Sequence, residues 1–152
     1  MEEQKVIEEQ QLVEKAKEEQ LVIVENARIA VQSNEHKTLY PDMIQVIVKN
    51  VSDKTIKDMK IGSIAFDQNG YPVKIKPFWG ISEEYEFVGH AENVNIIAGG
   101  RFGDSQGWKL DESHGISKVL SCVQSVTFYD GTTWENPYYQ YWIKEYKEKP
   151  LN

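Results

Sequence analysis

The sequence predicts a mainly β protein, an antiparallel two-sheet sandwich with a helix at each end. Three observations carry that reading. After Leu21 the chain breaks into about seven short runs of alternating apolar and polar residues, the pattern of a sandwich. Turn chemistry punctuates the runs at Asn50–Thr55, Asp67–Gly70, Gly99-Gly100 and Asp130-Gly131. Both ends of the chain instead carry apolar residues at helical spacing.

Residues 1–20 are dominated by Glu, Gln and Lys, good helix formers, with no Gly or Pro. Val6, Leu12, Val13 and Ala16 form only a thin apolar stripe over roughly two heptads, too few for a convincing coiled coil. The expectation is a helical linker or stalk, with residues 21–152 as the body.

The body opens with "IVENARIAVQ", where Ile23, Ala27, Ile29 and Val31 share one face and Glu25 is the exception. In "MIQVIVKNVS" the facing residues are Ile44, Val46 and Val48. In "MKIGSIAFDQNG" Met59 and Ile61 lie on one parity, Ile64 and Phe66 on the other. A bulge at Gly62 is the expected repair. The run Glu84–Gly100 reads as two strands broken near Gly89, and Trp108–Leu110 as a short one. The longest strand follows Lys118, with Leu120, Cys122, Val126 and Phe128 on one face. Asp130-Gly131 then signals a hairpin, and Trp134 offers a large anchor for the core. Asn136 is a good N-cap and Pro137 suits the first helical position. Tyr138, Tyr139, Trp142, Ile143 and Tyr146 recur at helical spacing, and Pro150 limits the helix.

Seventeen Lys and Arg against 24 Asp and Glu give a net charge of −7. That balance disfavours nucleic acid, whose affinity comes from neutralised phosphates, and adsorption to anionic membranes. Cys122 is the only cysteine, so no internal disulfide forms. No apolar run is long enough to span a bilayer, and the N-terminus lacks the apolar region of a signal peptide.

Little in the sequence carries catalytic chemistry. His36, His90 and His114 are separated, without metal-ligand spacing, and read as ordinary loop residues. Asp67-Gln-Asn-Gly begins like a calcium loop, but Tyr71 and Pro72 occupy its later ligand and turn positions, so a β-turn fits better. Gly99, Gly100, Gly103 and Gly107 lie in a loop with neither a Gly-Lys-Ser/Thr nor a G-x-G-x-x-G pattern. A mobile connection is expected there, with Arg101 and Phe102 at its tip as partner-binding candidates. Cys122 on an apolar face behaves as a small hydrophobe. Glu83, Glu84 and Glu86 form a carboxylate cluster, the one handle for a hydrolase rival. No catalytic residue, metal or cofactor is assigned. Trp79, between Pro77 and Gly80, is the aromatic best placed to be exposed and to bind, beside Arg101 and Phe102.

Two stretches carry a resemblance. "VKNVSDKTIKDMKIGSIAFDQNGYPV" resembles the FxLYD-type repeat of bacterial and archaeal envelope proteins. Its marks are Asn50-Val51-Ser52, then Ala65-Phe66-Asp67, then Asn69-Gly70. "KVLSCVQSVTFYDGTTWEN" is similar to the C-terminal signature of a related Gram-positive envelope family, through Val126, Phe128, Asp130, Gly131, Thr132 and Trp134. Gly99, Gly100 and Trp108 resemble that family's preceding turn and Trp strand. The resemblance runs loosely from Leu21 to Asn136. It implies an immunoglobulin-like sandwich, an extracytoplasmic setting and no known catalysis. The native protein is then secreted or tethered through a leader outside these 152 residues.

The expected function is a non-catalytic, envelope-associated accessory or recognition domain that binds a protein or cell-wall glycan. A monomer or weak dimer is expected, with free strand edges as a route to partners. The rivals are a carbohydrate-binding module built on Trp79 and neighbouring tyrosines, and a cytosolic regulatory protein.

Overall fold

The computed structural model describes residues 2–31, 41–78, 80 and 82–151. Helix α1 (Glu2–Glu18) comes first. Strands β1 (Val22–Ala30), β2 (Met43–Asn50) and β3 (Ile56–Phe66) follow. Then come β4 (Pro72–Val73), β5 (Phe87–Ala91), β6 (Arg101–Phe102) and β7 (Trp108–Lys109). Strands β8 (Lys118–Phe128) and β9 (Thr133–Glu135) and helix α2 (Tyr138–Tyr146) complete the order.

The strands form two antiparallel sheets. In one, β2 is central, with β1 on one edge and β6 and β7 successively on the other. In the other, the order is β4-β3-β8-β9, with β5 also on β3. Ile44, Val46 and Val48 of β2 are buried as the alternation requires, in one cluster with Met59, Ile61, Val119, Val123 and Val126 of the second sheet.

The second sheet departs from the expected bulge at Gly62. Met59, Ile61 and Ala65 face the cluster shared by the sheets. Ile64 and Phe66 face the other way, into a cluster with Tyr138, Tyr139 and Trp142 of α2. The switch of parity therefore marks a strand buried on both faces. A Cβ on Gly62 would collide with the Tyr139 ring. The bulge lies on the partner strand, where Lys60 pairs with Ser125 and Ile61 with Val123, leaving Gln124 extra. It reverses the facing of β8, so Leu120 and Cys122 lie under α2 while Val126 and Phe128 lie in the shared core.

Gly89 does not break its strand. It sits inside β5, paired with Ile61, and the Trp108 ring occupies the space its Cβ would need. In β1 a second bulge at Glu25 explains the exception in the alternation: Val24, Ala27 and Ile29 face the core and Glu25 is turned out.

Both helices follow their sequence signals. Asn136 Oδ1 accepts the Tyr138 N–H at 3.0 Å, with Pro137 already at helical φ and ψ of −63° and −24°. Helix α1 rests on α2 through Val13 and Ala16, with Lys144 Nζ 3.1 Å from Glu9 Oε1, while Val6, Ile7 and Leu12 stay exposed.

Candidate functional site

An open groove of about 790 Å³ lies where β1, the first half of β8 and α2 meet. Three features of the sequence build it. The bulge at Glu25 bends β1 along the side of the second sheet. Strand β9 covers β8 only at Ser125–Thr127, because the Asp130-Gly131 turn is tight and the chain leaves for α2 at Asn136. The aromatic spacing of α2 then places Tyr138, Trp142 and Tyr146 along one wall.

The opposite wall is the edge of β1. The Val51 N–H donates to the Leu21 carbonyl at 2.9 Å, which sets the ladder between β1 and β2. Beyond the bulge, Asn26, Arg28 and Ala30 turn their backbone groups toward β2, and Ala27 and Ile29 turn theirs outward into the groove. Among the described residues no strand pairs with that outer edge, nor with β8 at Lys118–Ser121 on the groove side.

Among the described residues, Arg28, Lys118 and Glu25 are the charged groups lining the groove. Arg28 Nε donates to Gln45 Oε1 at 2.7 Å, and Gln45 Nε2 donates onward to the Asp104 carbonyl at 2.8 Å. Glu25 is neutralised by Arg101, with Nε to Oε1 at 2.6 Å and Nη2 to Oε2 at 3.2 Å. The guanidinium holds the Glu25 carboxyl below its ordinary range. Burial pushes the Tyr138 hydroxyl up to about 12, so it is a neutral donor in the wall.

The structure redistributes the predicted site residues. Trp79 and His36 lie outside the described residues. Arg101 and Phe102 are not at a loop tip. They form β6, paired with Lys49 and Val48 of β2. Arg101 spends its charge on Glu25, and the Phe102 ring packs partly buried against the shared core. Within the glycine-rich stretch, Gly103 has φ of 116° and lies against the Val46 carbonyl, an approach that no Cβ permits.

Other chemical candidates are spent on structure. Glu86 accepts the Tyr139 hydroxyl at 2.7 Å and meets Lys147 Nζ at 3.3 Å, tying α2 across the sheet. Glu84 instead bridges Ile75 through its backbone. Asp67 Oδ1 accepts the Asn69 and Tyr71 N–H groups at 2.8 and 3.0 Å, as the turn reading requires. Burial raises the Cys122 thiol to about 12, which removes its thiolate at neutral pH. His90 corrects the loop-residue expectation, since it lies within β5, whereas the loop residue His114 is bonded on both ring nitrogens. Its Nδ1 accepts the Ile116 N–H at 2.9 Å, so Nε2 carries the proton and donates to Asp42 Oδ2 at 3.0 Å. Both side chains are nearly buried.

Sequence reasoning missed Arg28, Lys118 and the Tyr138, Trp142, Tyr146 wall as groove residues. The helical spacing of the aromatics was a visible signal. The open edge beside them was not, because it depends on which strands fail to pair.

One comparison places the architecture beside a solved structure. A hypothetical protein from Peptoclostridium difficile 630 superposes with a TM-score of 0.68 at 17% identity, covering 88% of this chain and 94% of that one. It shares the fold. No curated protein matches the sequence. The model of a protein family of unknown function, DUF5780, matches residues 43–149, and the chain belongs to that family.

Proposed function

We propose that this protein is a non-catalytic recognition domain of the cell envelope, with an immunoglobulin-like body that presents the groove between β1, β8 and α2 to a protein or glycan partner. The groove carries the proposal. It joins open backbone edges, an aromatic wall and two basic side chains, the components of a binding surface rather than of a reacting centre. The non-catalytic reading is supported by what the reactive side chains do: Glu86 is held by Tyr139 and Lys147, and Cys122 is a buried neutral thiol. The envelope setting rests on the resemblance of Val48–Val73 and Lys118–Asn136 to envelope domains.

Binding is tested by screening the full chain against a glycan array containing peptidoglycan fragments and against a random linear-peptide display library. Selective retention of either ligand class is expected. Failure of both screens removes the recognition reading. Retention of glycans, lost in Trp79→Ala, would favour the carbohydrate-binding rival. Protease shaving of intact cells tests location, and full protection of the protein would favour a cytosolic regulator.

A further inference from the structure

We infer that the groove takes an extended acidic peptide, added as a new strand to the free edge of β1. This rests on the recognition reading and names its ligand. The backbone argument comes first. Ala27 and Ile29 direct N–H and C=O groups into the groove without a strand to receive them among the described residues. An extended segment laid along Asn26–Val31 would satisfy these groups in the manner of any strand addition. At about 3.3 Å per residue, that edge measures roughly 20 Å, a length matched by a peptide of about six residues.

Charge selects the peptide. The chain as a whole is strongly acidic, at −7, yet the two strands that border the groove bring it a cation each, Arg28 from β1 and Lys118 from β8. Arg28 binds Gln45 through Nε alone, and neither Arg28 nor Lys118 forms an ion pair with another described residue. Glu25 is cancelled by Arg101. Among the described residues that line the groove, no anion is left to match these two cations. The helical wall has the opposite character: Tyr138, Trp142 and Tyr146 are aromatic, and Glu14 and Glu145 lie close enough to Tyr138 to disfavour its ionisation. A bound peptide is thus expected to set carboxylates toward Arg28 and Lys118 and an apolar side chain toward Trp142. Alternating side chains of an extended strand point to opposite sides, which suits this division.

The test takes the best peptide from the display screen, synthesises it, and measures its affinity for the full chain by fluorescence anisotropy. Enriched peptides should be acidic and rich in β-formers. N-methylation of alternate residues should weaken binding at least about tenfold, because it removes ladder donors while leaving the side chains. Arg28→Glu with Lys118→Glu should weaken it by a similar factor of about ten, and added salt should do the same progressively. Circular dichroism and melting of the double variant check that its fold persists. If it does not, Arg28→Gln and Lys118→Gln replace it. Basic or uncharged winners, or binding indifferent to both N-methylation and charge reversal, would overturn this inference while the recognition reading stands. Binding confined to glycans would do the same, as would peptide binding traced to self-association of the chain by sedimentation. Silence in both screens removes the two readings together.

Discussion

At the scale of single residues, the structure is decided by close approach and by local acceptors. Gly62 is the clearest case. Its lack of a side chain lets the Tyr139 hydroxyl and ring lie directly on β3. Gly62→Ala forces that ring and α2 outward, and the expected cost is about 2 kcal/mol, in the range of overpacked cores. Urea unfolding measures it, and pairing the change with Tyr139→Phe, which deletes the nearest atom, should recover part of the loss. Asp130 is the second case. Its Oδ1 accepts the Thr132 N–H at 2.9 Å and the Thr132 hydroxyl, and its Oδ2 lies 3.0 Å from Lys54 Nζ. These bonds, led by the Thr132 hydroxyl, lower its pKa from 3.8 to about 2. A carboxyl depressed on folding stabilises the native state above its unfolded pKa and loses that contribution as pH falls through the folded value. Asp130→Asn should therefore flatten the stability profile between about pH 4 and pH 2. Urea midpoints across that window check it; identical slopes in both proteins would rule it out.

At the scale of elements, the strands and helices hold together because β3 and β8 are buried on both faces. Each presents one face to the shared core and part of the other to α2. Helix α2 is anchored at its start by Asn136, whose Nδ2 donates to the Val123 carbonyl at 2.7 Å, and along its length by Tyr139 and Glu86. Strand β9 is the short link between hairpin and helix, and its anchor is Trp134. The ring packs against the shared core on one side and lines clefts beside α1 and the Val51–Lys54 turn on the other. It is only partly buried, so Trp134→Ala should cost about 2 kcal/mol, less than the ~3–5 kcal/mol of a fully buried Trp. Thermal and urea unfolding give that figure. A cost well below 1 kcal/mol would place the ring among the exposed surface residues instead.

At the scale of the whole molecule, one cluster receives side chains from both sheets, so neither sheet keeps its core without the other. The body should unfold in a single cooperative transition, with tryptophan fluorescence and far-ultraviolet circular dichroism tracing the same urea curve. Two separated transitions would mean that the α2 face melts independently. Much of this organisation is legible in the residues. The alternation in Met43–Asn50, the Asp130-Gly131 turn, the Asn136-Pro137 helix start and the polar, Gly-free opening each specify their element through local chemistry alone. The apolar pattern also exposes the parity switch in β3, but not its cause, since a bulge and a strand buried twice leave the same trace. The binding candidates were less legible. Arg101 and Phe102 look free in a glycine-rich stretch, yet pairing with β2 and Glu25 absorbs them. Arg28 and Lys118 look like ordinary strand polar residues, yet they flank the groove. By itself, then, the sequence determined the two helices, the long strands and the main turns, because periodicity, capping and turn preference act within a few residues, while short strands such as β6 escaped it. Only the tertiary structure decided which edges stay open, which charges are cancelled and which aromatics share a wall. Those depend on partners such as Glu25 and Arg101, brought together from 76 positions apart by the pairing of β1 and β6 on the two sides of β2.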